Sequence, residues 1–245
     1  MSVTAWLAAA GILSGALSPS LGSTSAASVS SHLQLLVPPS EHPLPVVIWA
    51  SGGSGFFHPR GPWHYVERSQ HILSVGYAIA YVDYVTAAGA GEMSTRDIGG
   101  YLVAAIRLVE SDKRLDPSRI VLLGSSRGGG GVLAALSAKE IKARPPKAAL
   151  SIYPLCTGVE PWDLDVPVWA WFGGADQITP ADHCSQALGN ARRKVTTFTF
   201  PGAHHGFDMR GLPTELEPGK PALAFNVAAA AELWAQIADV LRSLR

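Results

Sequence analysis

The chemistry of this chain centres on Gly124-Ser125-Ser126-Arg127-Gly128, a G-x-S-x-G pattern that follows the apolar run Ile120–Leu123 and precedes a helical segment, Val132–Lys139. A short continuous apolar run suits a central strand buried on both faces. A strand, a sharp turn and a helix hold a serine hydroxyl clear of the sheet, and small flanking residues avoid collisions with neighbouring backbone. The pattern alone is weak in a chain with 25 glycines, so its position between strand and helix carries the weight. A phosphate-binding or dinucleotide-binding loop is the rival explanation of the glycines. It lacks support here, because the G-x-G-x-x-G spacing is absent and no Gly-Lys-Ser/Thr follows.

A serine hydroxyl is a poor nucleophile near neutral pH and needs a base in reach, with an acid to fix the base's tautomer. Ser126 is the expected nucleophile, and in this architecture the partners follow it in the order acid, base. Asp176, in Gly173-Gly174-Ala175-Asp176-Gln177-Ile178-Thr179-Pro180, comes directly after the apolar strand Val168–Phe172. His205, in Pro201-Gly202-Ala203-His204-His205-Gly206-Phe207-Asp208, comes directly after the last strand. Asp182 and Asp165 are competing acids, but the first falls in the first turn of a helix, where a carboxylate is favoured anyway, and the second precedes a strand. His204 is the adjacent alternative base. His183 reads as a surface helix residue, and His58, His64 and His71 as pocket-rim or structural residues.

Acyl transfer also needs donors aimed at the developing oxyanion. The Arg127 amide, next to the nucleophile at the start of its helix, is one. The other is expected in Ser51-Gly52-Gly53-Ser54-Gly55 after the strand Val46–Ala50, with Gly53 first and Ser54 in reserve. The Arg127 side chain has two readings, an anchor for an acidic substrate group or a structural ion pair. Ser54, Phe56 and Tyr84 are expected at the substrate pocket, whose walls would come from the loops 56–63, 84–92 and 155–162.

These residues require a sheet that delivers them to one edge. From residue 31 onward, strand-length apolar runs alternate with segments of helical period, the signature of a mainly parallel α/β sheet. His32–Val37, Val46–Ala50, Tyr77–Asp83, Ile120–Leu123, Ala148–Tyr153, Val166–Phe172 and Val195–Phe200 read as strands. Tyr65–Val75, Thr95–Ser111, Ala181–Arg192 and Ala222–Leu244 read as helices. Ile98, Tyr101, Leu102, Ala105, Ile106 and Val109 share one face of the second of these, which leads to a turn at Asp116-Pro117-Ser118. Only the dozen residues between Tyr153 and Val166 are free to form a cap, so an open site without a helical lid domain is expected.

The 245 residues, 47% apolar and 16% charged, fit one globular domain over 31–245. Nineteen basic and nineteen acidic residues balance, which gives no argument for a nucleic-acid partner or an anionic membrane surface and favours a small molecule. Residues 1–30 carry the Ala-rich apolar run Trp6–Leu17 and then a Ser/Gly/Ala tract, as in a secretory signal peptide. No Lys or Arg precedes Arg60, so a loosely ordered tail or a packed first helix is the alternative. The run is too short for a stable membrane anchor. A secreted or periplasmic location is expected, with a cytoplasmic one as the alternative. The two cysteines, Cys156 and Cys184, are too few for a four-thiolate zinc site, and no metal is expected.

With elbow, acid and base placed, the chain from about residue 35 resembles the dienelactone hydrolase family of the α/β-hydrolase superfamily. The marks are Ser51-Gly52-Gly53-Ser54-Gly55, Gly76-Tyr77-Ala78 entering a strand that ends at Asp83, the Gly124–Gly129 elbow, Gly174–Pro180, and Gly202-Ala203-His204-His205-Gly206-Phe207. The resemblance implies cofactor-free hydrolysis of an ester, lactone or similar acyl substrate through an acyl-enzyme. The same fold also supports acyltransferases and peptidases, and a non-catalytic binding protein is a third reading, against which a complete triad argues. The family's name-giving members use a cysteine in the elbow where this chain has Ser126, so lactone specificity does not carry over. The family's early loop often begins His-Gly, and Ser51 stands there instead. Cys156 follows Tyr153-Pro154 at a strand end, and Cys184 starts the helix beyond the acid loop. A disulfide between them would brace the loop carrying Asp176, with two buried thiols as the alternative.

Overall fold

The computed structural model describes residues 29–56, 63–88, 93–189 and 194–245. The expected signal segment up to residue 28, most of the expected pocket loop 57–62, His58, residues 89–92 and residues 190–193 lie outside the described residues, as does the side chain of His64.

Alternating apolar residues build the sheet. In β2 (Leu44–Ala50), Val46, Ile48 and Ala50 join one core, while Val47 and Trp49 join another on the opposite face. Such alternation with both sets buried is what a central strand covered by helices on both sides requires. Among the described residues, seven strands pair in the order β1-β3-β2-β4-β5-β6-β7. They are β1 (Leu33–Leu36), β2, β3 (Ala78–Val82), β4 (Leu115–Ser125), β5 (Ala148–Ile152), β6 (Val168–Gly173) and β7 (Val195–Phe200). Only β1 is antiparallel, pairing with β3 at the edge. Helices α3 (Thr95–Glu110) and α4 (Arg127–Ala135) cover one face, and α1 (Trp63–Ser74) and α6 (Val227–Ser243) cover the other. Short α2 (Tyr84–Ala88) follows β3, and α5 (Ser185–Gly189) follows a 3-10 turn at Ala181–Cys184. This is the α/β-hydrolase architecture expected from the sequence. Between β5 and β6 the described chain forms no helix, and its Cys156, Trp162 and Val166 are buried in the core instead of covering the sheet edge.

Strand order places the site. The chain runs outward from β2 to β3, then crosses back to β4 on the other side, so the topological switch lies between β2 and β4. In open α/β sheets the crevice beyond the carboxyl ends at such a switch is where ligands bind. The loop after β2 and the turn after β4 therefore meet there.

Several boundaries differ from those expected. The helix after the elbow begins at Arg127, not Val132, and ends at Ala135. Four consecutive glycines disfavour a helix on propensity, but close packing overrides that. A Cβ at Gly130 would run into the Leu155 carbonyl and one at Gly131 into Ile98. The expected turn at Asp116–Ser118 is an irregularity inside a longer strand: Leu115 pairs with Leu44, and pairing resumes at Ile120 with Val46. The Asp116 carboxylate holds it, accepting from the Ser118 amide at 2.9 Å and Arg119 Nε at 2.6 Å. Residues 181–189 split into the 3-10 turn and α5, where one helix was expected. The last helix begins at Val227, not Ala222, because Leu223, Ala224 and Asn226 pair with the loop carrying His205 and the Asn226 side chain caps the helix at Ala229 N, 3.0 Å.

Candidate active site

Ser126 sits at the tip of β4 with φ 54° and ψ −120°, a backbone conformation that L side chains rarely adopt. Such a residue costs about 1–3 kcal/mol and persists only where the surroundings over-determine it. Here its amide donates to the Ile152 carbonyl at 2.9 Å, and its carbonyl accepts from Leu155 N at 2.9 Å and Gly130 N at 3.0 Å. A Cβ on Gly124 would collide with the backbone of Gly128 and Gly129, and one on Gly128 with the carbonyls of Ala50 and Ser51. The turn thus passes flush against β2 and carries the Ser126 side chain off the sheet, half-buried.

The other two side chains arrive from the loops after β6 and β7. His205 Nε2 lies 3.0 Å from Ser126 Oγ, and His205 Nδ1 lies 2.8 Å from Asp176 Oδ2. A carboxylate only accepts, so Nδ1 carries the hydrogen and Nε2 is left to accept from the serine. His204 turns away and hydrogen-bonds the Ala175 carbonyl at 2.9 Å through Nδ1, which clasps the base loop to the acid loop. Ala175 N reaches the Ala203 carbonyl at 2.9 Å, and Gly174 N the Phe200 carbonyl at 2.8 Å. Asp182 lies in the 3-10 turn and Asp165 pairs with Lys194, so neither rival acid is part of this array.

Asp176 is saturated with donors. Its Oδ1 accepts from the amides of Ile178 at 2.8 Å and Thr179 at 2.9 Å, and its Oδ2 from His205, with the Thr179 hydroxyl oxygen 3.0 Å away. Burial pushes its carboxyl upward, but the hydrogen bond and charge of His205, with the two amides, outweigh burial and hold it below the usual range.

Behind His205 lies a buried charged network that sequence inspection missed. Arg68 of α1 and Asp208 form an ion pair at 2.5 Å, both inaccessible to solvent. Asp208 also accepts from the Tyr153 hydroxyl at 2.6 Å and Trp234 Nε1 at 3.2 Å. Arg68 lies against the rings of Tyr65 and Trp234. The Tyr153 ring packs on His205 with centroids 4.7 Å apart. No spacing rule links residue 68 to residue 208; a lone Arg in a helix of otherwise amphipathic pattern was the sole available signal.

The loop after β2 borders the serine. A Cβ built on Gly52 would stand 3.6 Å from Ser126 Cβ, and one on Gly53 would stand 3.2 Å from Arg127 Cδ. Tyr84 holds this loop by donating to the Ser51 carbonyl at 3.0 Å, and is itself buried. Phe56 is buried too, edge-on to Tyr65 and Tyr81, so it serves the aromatic core, while Ser54 is exposed. Cys156 and Cys184 are joined by a disulfide, which ties the start of the loop after β5 to the 3-10 turn beyond Asp176. Among the described residues, no cluster of three or more His, Cys, Asp or Glu could hold a metal ion, and no helix is long and apolar enough to cross a membrane.

Comparison with known proteins gives the same architecture. A dienelactone hydrolase-type protein from Klebsiella pneumoniae superposes with a TM-score of 0.66 at 17% identity, over 85% of this chain and 91% of the other. Esterase 2 from Thermogutta terrifontis, solved with propionate, gives 0.60 at 16%, over 86% and 89%. A dienelactone hydrolase-like promiscuous phosphotriesterase from metagenomic libraries gives 0.64 at 16%, over 84% and 88%. At these identities the likeness speaks for the fold. No match is found among curated proteins. The model of the dienelactone hydrolase family matches residues 84–244, more than half of the chain and a span that contains Ser126, Asp176 and His205. The chain therefore belongs to the dienelactone hydrolase family.

Proposed function

We propose that this hydrolase is a serine esterase that works through an acyl-enzyme on Ser126. The observation that carries the reading is the continuous hydrogen-bonded array from Ser126 through His205 to Asp176, at 3.0 and 2.8 Å, at the carboxyl edge of the sheet. As Ser126 Oγ attacks the ester carbonyl, its proton passes to His205 Nε2, and Asp176 stabilises the imidazolium. Negative charge gathers on the carbonyl oxygen, where the amides of Gly53 and Arg127 are the proposed donors. Collapse expels the alcohol, which takes the proton from His205 and leaves an acyl ester on Ser126. Water, deprotonated by the same histidine, then releases the acid and regenerates the serine.

Export is the location we infer, supported by the Cys156–Cys184 disulfide, because such bonds persist mainly in oxidising compartments. Hydrolysis of p-nitrophenyl esters of graded chain length, with fluorophosphonate labelling, tests the reaction. The parent should turn over and label. Ser126→Ala should do neither, with kcat down by about a thousandfold or more, and Asp176→Asn should label slowly and lose about ten-thousandfold in kcat. A folded Ser126→Ala protein with parental turnover would exclude the serine mechanism.

A further inference from the structure

Thr179 belongs to the acid loop, yet its side chain does more than close that loop. It is buried, with Oγ1 at 3.0 Å from Asp176 Oδ2, 3.0 Å from His205 Nδ1 and 3.1 Å from the Tyr153 carbonyl oxygen. We propose that Thr179 is a positioning residue for His205, its hydroxyl sharing the Nδ1 hydrogen with Asp176 while its own proton is held by the Tyr153 carbonyl. The inference rests on the serine–histidine–aspartate reading above.

Two acceptors stand in reach of the Thr179 proton, Asp176 Oδ2 at 3.0 Å and the Tyr153 carbonyl at 3.1 Å, and the first already receives Nδ1–H from His205. The hydroxyl has one proton to give and two lone pairs to offer. Nδ1–H points at Asp176 Oδ2, the nearer acceptor at 2.8 Å, with the threonine oxygen just beyond. If Thr179 donates to Tyr153, a lone pair faces the imidazole, and the ring is held from two directions instead of one. When His205 takes the serine proton, its Nδ1–H becomes a stronger donor, so the second acceptor matters most in the charged state. Asp176 keeps both backbone amides whatever occupies the threonine side chain, so the hydroxyl is superfluous for the loop's own closure.

The Tyr153 carbonyl is a rigid anchor. Tyr153 has φ 35°, which non-glycine residues rarely adopt, and is pinned by its amide to the Trp171 carbonyl at 2.6 Å and by its phenol to Asp208. A strained residue held by these two bonds sets the direction of the threonine proton, and through it the orientation of the imidazole.

The test compares Thr179→Val, which keeps the shape and removes the hydroxyl, with Thr179→Ser, which keeps the hydroxyl. Valine should lower kcat about tenfold, about 1.4 kcal/mol of transition-state stabilisation, with KM within about twofold. Serine should stay within about threefold of the parent in both constants. The low-field proton resonance of the Asp176–His205 hydrogen bond should move in the valine variant and return in the serine variant. Equal losses in the two variants, or parental kcat in a folded Thr179→Val, would overturn the proposal. Ser126→Ala run alongside separates the two failures: retained turnover there rejects the serine mechanism itself, whatever threonine does.

Discussion

Ser126 and the two side chains hydrogen-bonded in series to it are held in place by different means. Around Ser126 the fit is steric: Gly124 and Gly128 let three stretches of backbone touch, and a single added carbon has nowhere to go. Around Asp176 and His205 the fit rests more on bonds, namely hydrogen bonds, a buried ion pair and a disulfide, with one close approach of Gly173 to the Ala203 carbonyl. The difference follows from where each residue sits. Ser126 is one step from the sheet, whose ladder already fixes the backbone. Asp176 and His205 stand in loops, and a loop is fixed only by the bonds it makes.

The sharpest way to break the steric half is Gly128→Ala. Its methyl would meet the Ser51 and Ala50 carbonyls, on a central strand that cannot retreat, so we expect a loss above about 4 kcal/mol or no folded protein, measured by urea denaturation. The polar half should be next most sensitive at its buried pair. Asp208→Ala strands the Arg68 charge and should cost about 3–5 kcal/mol, while a double replacement of Arg68 and Asp208 by apolar residues should recover much of it. Removing the disulfide with Cys156→Ala and Cys184→Ala should cost about 2–4 kcal/mol, and thiol titration of the unreduced parent should find no free thiol. Smaller still, Tyr84→Phe loses one bond to the loop after β2 and should cost about 1 kcal/mol, with a larger proportional effect on kcat if that loop carries the oxyanion donor.

Acid titration sharpens the same contrast. The Asp176 carboxyl is held below its usual value of about 3.9, so its contribution to stability is complete above that value and fades as pH falls through the lower folded one. The stability advantage of the parent over Asp176→Asn should therefore be constant above about pH 4 and shrink below it. An unchanged difference down to complete acid unfolding would show that the carboxylate charge is not what the loop uses.

The motif residues were legible because each stands next to a strand end, and strands announce themselves by apolar runs. Ser126, Asp176 and His205 follow Leu123, Phe172 and Phe200 within a few residues. Helix α4 was misjudged at its start because four glycines argue against a helix locally, while their reason for being there is packing against residues far away in sequence. Phe56 and Tyr84 were expected at the pocket on aromatic character near the site; both are buried, Phe56 against Tyr65 and Tyr81 and Tyr84 bonded to the Ser51 carbonyl. Residues 222–226 looked helical by composition, but Leu223, Ala224 and Asn226 pair instead with the His205 loop.

By itself the sequence determined the order of strands and helices, the balance of charge, and the three residues at strand ends, because those depend on local periodicity and on spacing along the chain. The tertiary structure alone decided that His204 turns to the Ala175 carbonyl, that Arg68 and Asp208 meet behind His205, and that Thr179 reaches both Asp176 and His205. Those choices depend on which loops lie side by side across the sheet edge, and hydrogen bonds between residues 26 to 140 positions apart leave no periodic trace in the chain.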